Sequence, residues 1–306
     1  MPMTEHYIKI HKSKGLYCSE TQKNGYTSFS NRNKWTDYII DNNLVYSHRT
    51  NKYTRKNFSE GLHSHEYYEL VIYINGNVEY INDNMLIKPQ SYSVIWFLPG
   101  QMHTATLLSS SNYERYVFYF SKEFFAYNNI IAPMTSFMYS GKVTAFNPDA
   151  VTSKEIQNIL EKIDDEIISE NICGGLIAKA LIIEMFGIFN KSDADSPKCT
   201  TITDNLMQIK NYIDNEYAFI STSADIAEKF HYSREHISRK FKDKFNISIS
   251  EYISKRRVLE SLPLLFEMSG ADAAYTVGFR SQSSYISAFV KNMGCLPSEY
   301  KKTKSR

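Results

Sequence analysis

The sequence predicts an α+β multidomain chain: an N-terminal β-barrel, helices flanking it, and an all-α C-terminal domain with two helix-turn-helix units. Three observations predict it. Between Tyr67 and Phe120, short apolar runs alternate with turn-forming residues. After Pro148 the apolar residues recur at helical spacing instead. The last third of the chain repeats itself at an interval of 48 residues. The chain has 306 residues, about twice a usual domain length, so two cores are expected. With 42% apolar and 22% charged residues it reads as folded and globular, which excludes disordered and fibrous classes.

Taken in order, Met1 to Gly15 carries Lys9, Lys12 and Lys14 with no apolar core, so no signal peptide is expected. No run of eighteen apolar residues occurs, which points to a cytoplasmic chain with no membrane partner. Cys18, Cys173, Cys199 and Cys295 lack CxxC spacing and are expected as thiols, neither a disulfide framework nor a cysteine zinc site.

The expected strands are Leu70 to Ile74, Val78 to Ile81, Val94 to Phe97 and Tyr116 to Phe120. Turn formers separate them: Asn75-Gly76-Asn77, Asn82-Asp83-Asn84, Lys88-Pro89 and Pro99-Gly100. Such short, evenly spaced strands suit a sandwich or small barrel, with its core at about 60–122 inside a domain of residues 1–148. Ile156, Ile159, Leu160, Ile163 and Ile167 then form a helical stripe, and a second helix runs from about Leu176 to Phe189. Together they make a helical segment at 149–190. Residues 191–201, with Ser192, Asp193, Asp195, Ser196 and Pro197, have linker composition, and 202–306 reads helical throughout.

The net charge of +2 hides an asymmetry. From Thr200 onward there are 16 Lys and Arg against 12 Asp and Glu, while the rest of the chain has 19 against 21. Between Glu235 and Arg306 the balance is 13 against 7. A basic end domain suggests a polyanionic partner.

That domain contains the repeat. Phe241 precedes Ser250-Glu251-Tyr252 as Phe289 precedes Ser298-Glu299-Tyr300, and Asn246 matches Gly294, each at an expected helix-ending left-handed position. Each unit has a helix with a small residue, Ala227 or Ala274, where two helices cross closely. A turn follows, His231-Tyr232-Ser233 or Gly278-Phe279-Arg280, and then a second helix capped by Ser233 or Ser281. Ile237 and Phe241 in one unit, Tyr285 and Phe289 in the other, share the buried face. This is a helix-turn-helix pattern, and its second helix can enter a DNA major groove. The units are expected at about 222–246 and 270–294, with a linker helix at about 248–265.

On these residues the chain resembles the AraC/XylS family of bacterial transcription regulators. The resemblance spans about Ile209 to Tyr300 and rests on Ile226-Ala227, the run His236 to Lys242, Tyr252-Ile253 with Arg257, Leu264-Leu265, Val277-Gly278-Phe279, and Gly294 with Pro297 to Tyr300. It implies that two recognition helices read successive major-groove segments of double-stranded promoter DNA. Base-reading positions then fall on Glu235, Ser238 and Arg239, and on Gln282, Ser283, Ile286 and Ser287. Arg239 can make a bidentate contact to guanine. Arg234 lies on the same exposed face, and Lys242, Lys244, Lys291, Lys301, Lys302 and Lys304 suit phosphates. In the second unit Ser287 and Val290 stand where the family has Arg and Lys, and Gly270, Ala271 and Ala273 where it has larger groups. Pro263 should kink or end the linker helix. The second unit is therefore expected to be less stable and a weaker reader.

The N-terminal barrel resembles the cupin superfamily through His63-Ser64-His65, Glu69 and Gly76, the pattern HxHx3Ex6G, and through Pro99-Gly100-Gln101-Met102-His103. In metal-binding cupins such a set converges as a three-His, one-carboxylate site suited to Fe(II), Mn(II), Ni(II) or Zn(II). In a regulator the barrel senses instead, so no cofactor and no enzymatic activity are expected. A small-molecule effector, a sugar above all, is expected on His63, His65, Glu69, Tyr73, Tyr80, Trp96 and His103, because aromatic rings stack on sugar faces. The family also implies a homodimer through the 149–190 helices, more often an activator than a repressor, working with RNA polymerase. The alternative is a metal-dependent cupin dioxygenase or isomerase using His63, His65, Glu69 and His103.

Overall fold

The computed structural model describes residues 3–5, 7–8, 17–23, 26–31, 35–53, 61–83, 85–128, 145–169, 172–191, 199–201 and 205–304. Lys9, Lys12, Lys14, the stretch from Ser192 to Pro197 and Arg306 lie outside the described residues. Twelve strands are described: β1 (Tyr17–Lys23), β2 (Tyr26–Asn31), β3 (Thr36–Asp41), β4 (Leu44–Tyr53), β5 (Tyr68–Asn75), β6 (Val78–Asn82), β7 (Met85–Ile87), β8 (Val94–Phe97), β9 (His103–Leu107), β10 (Ser111–Phe120), β11 (Ala145–Phe146) and β12 (Cys199–Thr201). They form an eight-stranded sheet ordered β1-β2-β3-β4-β10-β5-β8-β11 and a four-stranded sheet ordered β12-β7-β6-β9. All pairings are antiparallel.

The expected strand runs coincide with β5, β6, β8 and β10. The barrel, however, begins well before residue 60. β10 pairs along its whole length with β4, from Ser111 opposite Tyr53 to Phe120 opposite Leu44, and β1 to β3 extend the sheet beyond β4. A ten-residue strand needs a partner of similar length on each side to satisfy its N–H and C=O groups.

Alternation along these strands sets two faces. In β4, β5, β8 and β10 odd-numbered residues such as Val45, Val71, Phe97 and Tyr119 face the barrel interior. Even-numbered residues such as Leu70, Trp96 and Phe120 face the opposite way. There they meet helices α1 (Lys122–Tyr127), α2 (Ala150–Ile168) and α3 (Gly174–Lys191). The predicted stripe Ile156, Ile159, Leu160, Ile163 and Ile167 is fully engaged in this layer, with Ile182, Met185 and Phe186 of α3. Burying each such side chain contributes about 1.5–3 kcal/mol. Asp149 caps α2, its carboxylate accepting from Thr152 N–H at 2.7 Å.

The connector differs from an irregular linker at its end. Cys199, Thr200 and Thr201 pair with Ile87, Leu86 and Met85, adding β12 to the open edge of β7. The helical remainder comprises α4 (Asn205–Glu216), α5 (Ser223–Lys229), α6 (Arg234–Phe245), α7 (Ile249–Glu267), α8 (Gly270–Thr276), α9 (Gln282–Met293) and α10 (Pro297–Lys304). Pro263 does not end the linker helix. α7 continues through it to Glu267, held by buried Leu265 and closed by Met268 N–H donating to Leu264 C=O at 2.9 Å. Proline removes one N–H, and the packed last turn outweighs that loss.

The repeat survives at the level of single hydrogen bonds. After α5, Tyr232 N–H reaches Ala227 C=O at 2.9 Å and His231 N–H reaches Glu228 C=O at 3.2 Å. After α8, Phe279 reaches Ala274 at 2.9 Å and Gly278 reaches Tyr275 at 3.0 Å. Both are Schellman ends with a left-handed turn residue, His231 at φ 58° and Gly278 at φ 93°. Asn246 and Gly294 close α6 and α9 in the same left-handed region, as expected. Cys173 and Cys295 stand outside any disulfide.

Candidate DNA-reading face and barrel cavity

Ser233 caps α6 by accepting from His236 N–H at 3.2 Å, which fixes the phase of the helix. Ile237, Phe241 and Phe245 are then buried, and Arg234, Glu235, Arg239 and Lys242 are exposed on the other side. Ser238 is half-buried, and Arg234 also donates to Ser223 Oγ at 3.3 Å. Lys244 sits closer to the barrel, its carbonyl accepting from Thr106 Oγ1 at 3.3 Å.

On α9, Ser281 caps the helix and Gln282, Ser283 and Ser287 are exposed. Ile286 is half-buried and packs on the core of the second unit. Its apolar side chain gains more from that contact than from water. Lys291 is exposed but paired with Glu251 of α7 at 2.8 Å. Lys301 and Lys302 are exposed on α10, and the side chain of Lys304 lies outside the described residues. Arg257 does not face solvent as a reader would. Its guanidinium donates to Tyr217 C=O at 2.8 and 2.9 Å and to Ile220 C=O at 2.6 Å, pinning the α4–α5 connection.

Inside the barrel lies a cavity of about 390 Å³. Of the seven predicted effector contacts, His63, His65, Glu69, Tyr80 and His103 line it. Trp96 does not. It is an even-numbered residue of β8, so alternation turns it outward against Phe120 and Phe186. Tyr73 is buried beside the interior but lies outside the lining, its hydroxyl donating to Gly76 C=O in the hairpin. Sequence reading missed Trp35, Arg49, Tyr113 and Arg115 as wall residues. Odd numbering in β10 could have found Tyr113 and Arg115. Trp35 and Arg49 were lost because the barrel core was drawn from residue 60. Arg49 is held by Asp37 at 3.2 Å and by Tyr119 Oη at 3.3 Å. The cavity is roofed from the helical end of the chain by Asn246, Glu251, Lys255 and Asn292, among others.

His63, His65, Glu69 and His103 converge, with their ligand atoms within 4.8 Å of one another. Each imidazole is oriented the same way. Nδ1 of His63, His65 and His103 donates to the carbonyls of Gly61 (2.8 Å), Tyr67 (2.8 Å) and Gln101 (2.9 Å). A carbonyl oxygen only accepts, so each Nδ1 carries a proton and, in a neutral ring, Nε2 presents a lone pair. Nε2 of His65 and of His103 lie 2.8 and 3.1 Å from Glu69 Oε2, which also accepts when ionised. Burial pushes His63 well down and His65 down. Burial would push Glu69 up, but hydrogen bonding to His103 and His65 holds it well below the usual carboxylate range. Those contacts require positive charge between the groups, a proton or a cation. Three imidazole nitrogens and one carboxylate are the donor set that a borderline divalent metal ion takes, so these residues fit such an ion. Bound there, it would act as a Lewis acid toward the cavity.

Residues 44–171 match the AraC-like ligand binding domain and residues 226–303 a helix-turn-helix domain. The fold and both sites thus define a DNA-binding transcription regulator with a ligand-binding domain. The chain belongs to the AraC family of helix-turn-helix transcriptional regulators. It is 35% identical over 98 residues to the putative regulator YkgA of Escherichia coli, a match covering 31% of this chain and 41% of that protein. It is 20% identical over 252 residues to the HTH-type transcriptional activator RhaR of Mannheimia succiniciproducens, covering 78% of this chain and 86% of that one. Among solved structures it is similar to ToxT of Vibrio cholerae, at 17% identity and a TM-score of 0.32, over 83% of this chain and 97% of that one. The chain matches between 31% and 64% of the length of the first curated relatives. Among the described residues, no helix is long and apolar enough to cross a membrane.

Proposed function

We propose that the protein is a promoter-binding transcription activator, read chiefly by α6 and switched by a small polar molecule, a carbohydrate, in the barrel cavity. The observation that carries this reading is the roofed cavity: Tyr67, Tyr80, Tyr113 and Tyr119 line it from the barrel, and residues of α7 and α9 close it. A ligand there touches the sensing and the DNA-reading parts together, so it can favour one arrangement over another. Arg239 and Glu235, with Ser238, read bases in this proposal. Arg234, Lys242 and Lys291 set affinity through phosphates, and Gln282, Ser283, Ile286 and Ser287 add weaker readout.

The chain is proposed to act as a homodimer in the cytoplasm, engaging RNA polymerase once bound. Ile168, Ile172 and Leu176 support the dimer, because they remain 71–73% exposed at the α2–α3 corner although apolar. The rival reading, a metal-dependent cupin enzyme on the histidine cluster, is disfavoured because substrate exchange would have to pass a roof made by the helical domain.

The test is a mobility shift of upstream promoter DNA by the full chain across a salt series. The complex should weaken steeply with salt. Arg239→Ala should cost about 1–3 kcal/mol and flatten preference at one base pair. Unchanged preference would remove Arg239 from the reading. A panel of sugars scored by thermal shift tests the effector, and sedimentation of Leu176→Lys tests the dimer.

A further inference from the structure

His63 and His103 face each other as an antiparallel bridge, with N–H···O=C distances of 2.9 and 2.8 Å in the two directions. On one side of the bridge their rings, 4.4 Å apart, converge on Glu69 and His65. Side chains alternate along extended backbone, so the preceding residues, Leu62 and Met102, point the other way. Both are buried in the core of the first helix-turn-helix unit, with Ile237, Phe241 and Phe245. The same short segment carries further ties to the helical domain. Leu62 N–H donates to Phe245 C=O at 2.8 Å, Lys255 Nζ donates to Leu62 C=O at 3.2 Å, and Tyr300 Oη donates to Glu66. Gly61 packs so closely on the cap of α6 that an added Cβ would lie 2.6 Å from Asn246 C=O.

We infer that His63, His65, Glu69 and His103 hold one divalent transition-metal ion, and that this ion clamps the first helix-turn-helix unit onto the barrel. The inference goes beyond the proposed sensing function and rests on it only in treating the barrel as a regulatory part. The cation satisfies the two imidazole lone pairs that face Glu69, and by fixing both His63 and His103 it fixes the bridge between them. Leu62 and Met102 are then held at the positions where they enter the core of the first unit. Losing the ion leaves opposed lone pairs in a buried cluster, which separates the bridge and loosens the dock. Because an ion that binds the docked form more tightly must favour it, occupancy and docking are coupled reciprocally.

The experiment uses the full chain with Co(II), which reports its own coordination by visible absorption, and Zn(II) as a colourless check. One ion per chain is expected after dialysis. Glu69→Gln should weaken binding by more than the about 10–100-fold that losing an outer-shell partner costs. Hydrogen exchange at residues 61–63 and 242–246 should slow by at least about 5-fold on adding the ion, the low end of ordinary coupling. The same comparison on the wild-type chain with and without chelator needs no substitution, so a misfolded variant cannot obscure the outcome. Absence of bound Co(II) and Zn(II) would overturn the metal site and leave a proton-bridged cluster. Stoichiometric ion with unchanged exchange would overturn the clamp. Promoter binding is scored separately: its loss in an ion-loaded chain counts against the regulator reading and not against this one.

Discussion

The two helix-turn-helix units share a backbone plan and differ in what their cores touch. The first unit has no closed core of its own. Ile226, Ile237, Phe241 and Phe245 are buried together with Leu62, Ile81 and Met102 of the barrel. The second unit closes on itself, with Ala273, Ala274, Val277, Phe279, Tyr285 and Phe289 packed against Val258 and Leu265 of α7. Charge divides them the same way. α6 carries Arg234, Arg239, Lys240, Lys242 and Lys244, whereas α9 carries a single basic residue, Lys291. The unit better equipped to read DNA is thus also the one joined to the sensor, and the difference teaches where a signal from the barrel can act. The second unit resembles a permanent foot on the DNA, and the first a movable hand.

The largest test of this contrast is truncation of matched core residues. Phe241→Ala and Phe289→Ala should each cost about 3–5 kcal/mol of local stability. Only Phe241→Ala should also lower the unfolding midpoint of the barrel, seen by exchange in β6 and β9; equal effects of the two on the barrel would break the comparison. Next in size are the turn residues. Gly278→Ala would place a Cβ 2.3 Å from Ala218 C=O at a positive φ, and should cost at least about 2 kcal/mol in thermal unfolding. His231→Gly, at the equivalent turn, should instead stabilise by up to about 1 kcal/mol, since glycine adopts the left-handed region without penalty.

Phosphate contacts come third. Lys242→Ala should reduce the slope of log binding constant against log salt by about 0.9. Lys291→Ala should change it less, because Lys291 is already paired with Glu251. The smallest effect concerns the joint between sheet and α2. His48 lies between Asp164 at 2.9 Å and Glu114 at 3.0 Å, and Tyr116 stacks on it at 4.0 Å and donates to Asp164. Burial alone would lower its pKa, but Asp164 and Glu114 together raise it. A raised folded pKa stabilises the fold below the unfolded value of about 6.5, and that contribution disappears as pH rises through the folded value. Melting temperature should therefore fall on going from pH 5.5 to 8.5, and His48→Gln should flatten this fall.

Much of this was legible in the sequence because strong local signals agreed with the tertiary outcome. The 48-residue repeat located both helix-turn-helix units, and Asn246 and Gly294 closed their helices where expected, since few residues tolerate the left-handed region. The cupin pattern brought four side chains from distant positions to one centre. The failures came from information that lies between elements. Trp96 was read as a cavity wall because aromatic content says nothing about phase; its even number in β8 places it with Phe120 and Phe186 instead. Arg49 and Trp35 were missed because β1 to β4 are polar strands whose register is set by β10. Pro263 was read as a helix end because local geometry was weighed without the packing of Leu265.

β12 sets a leash. Thr201 is paired with Met85, and α4 begins at Asn205, so four Cα steps separate sheet from helical domain. Such a stretch reaches at most about 15 Å. Even fully undocked, the DNA-reading end can pivot near the edge of β7 but cannot roam, and any wider search along a promoter must begin by peeling three residues off that edge.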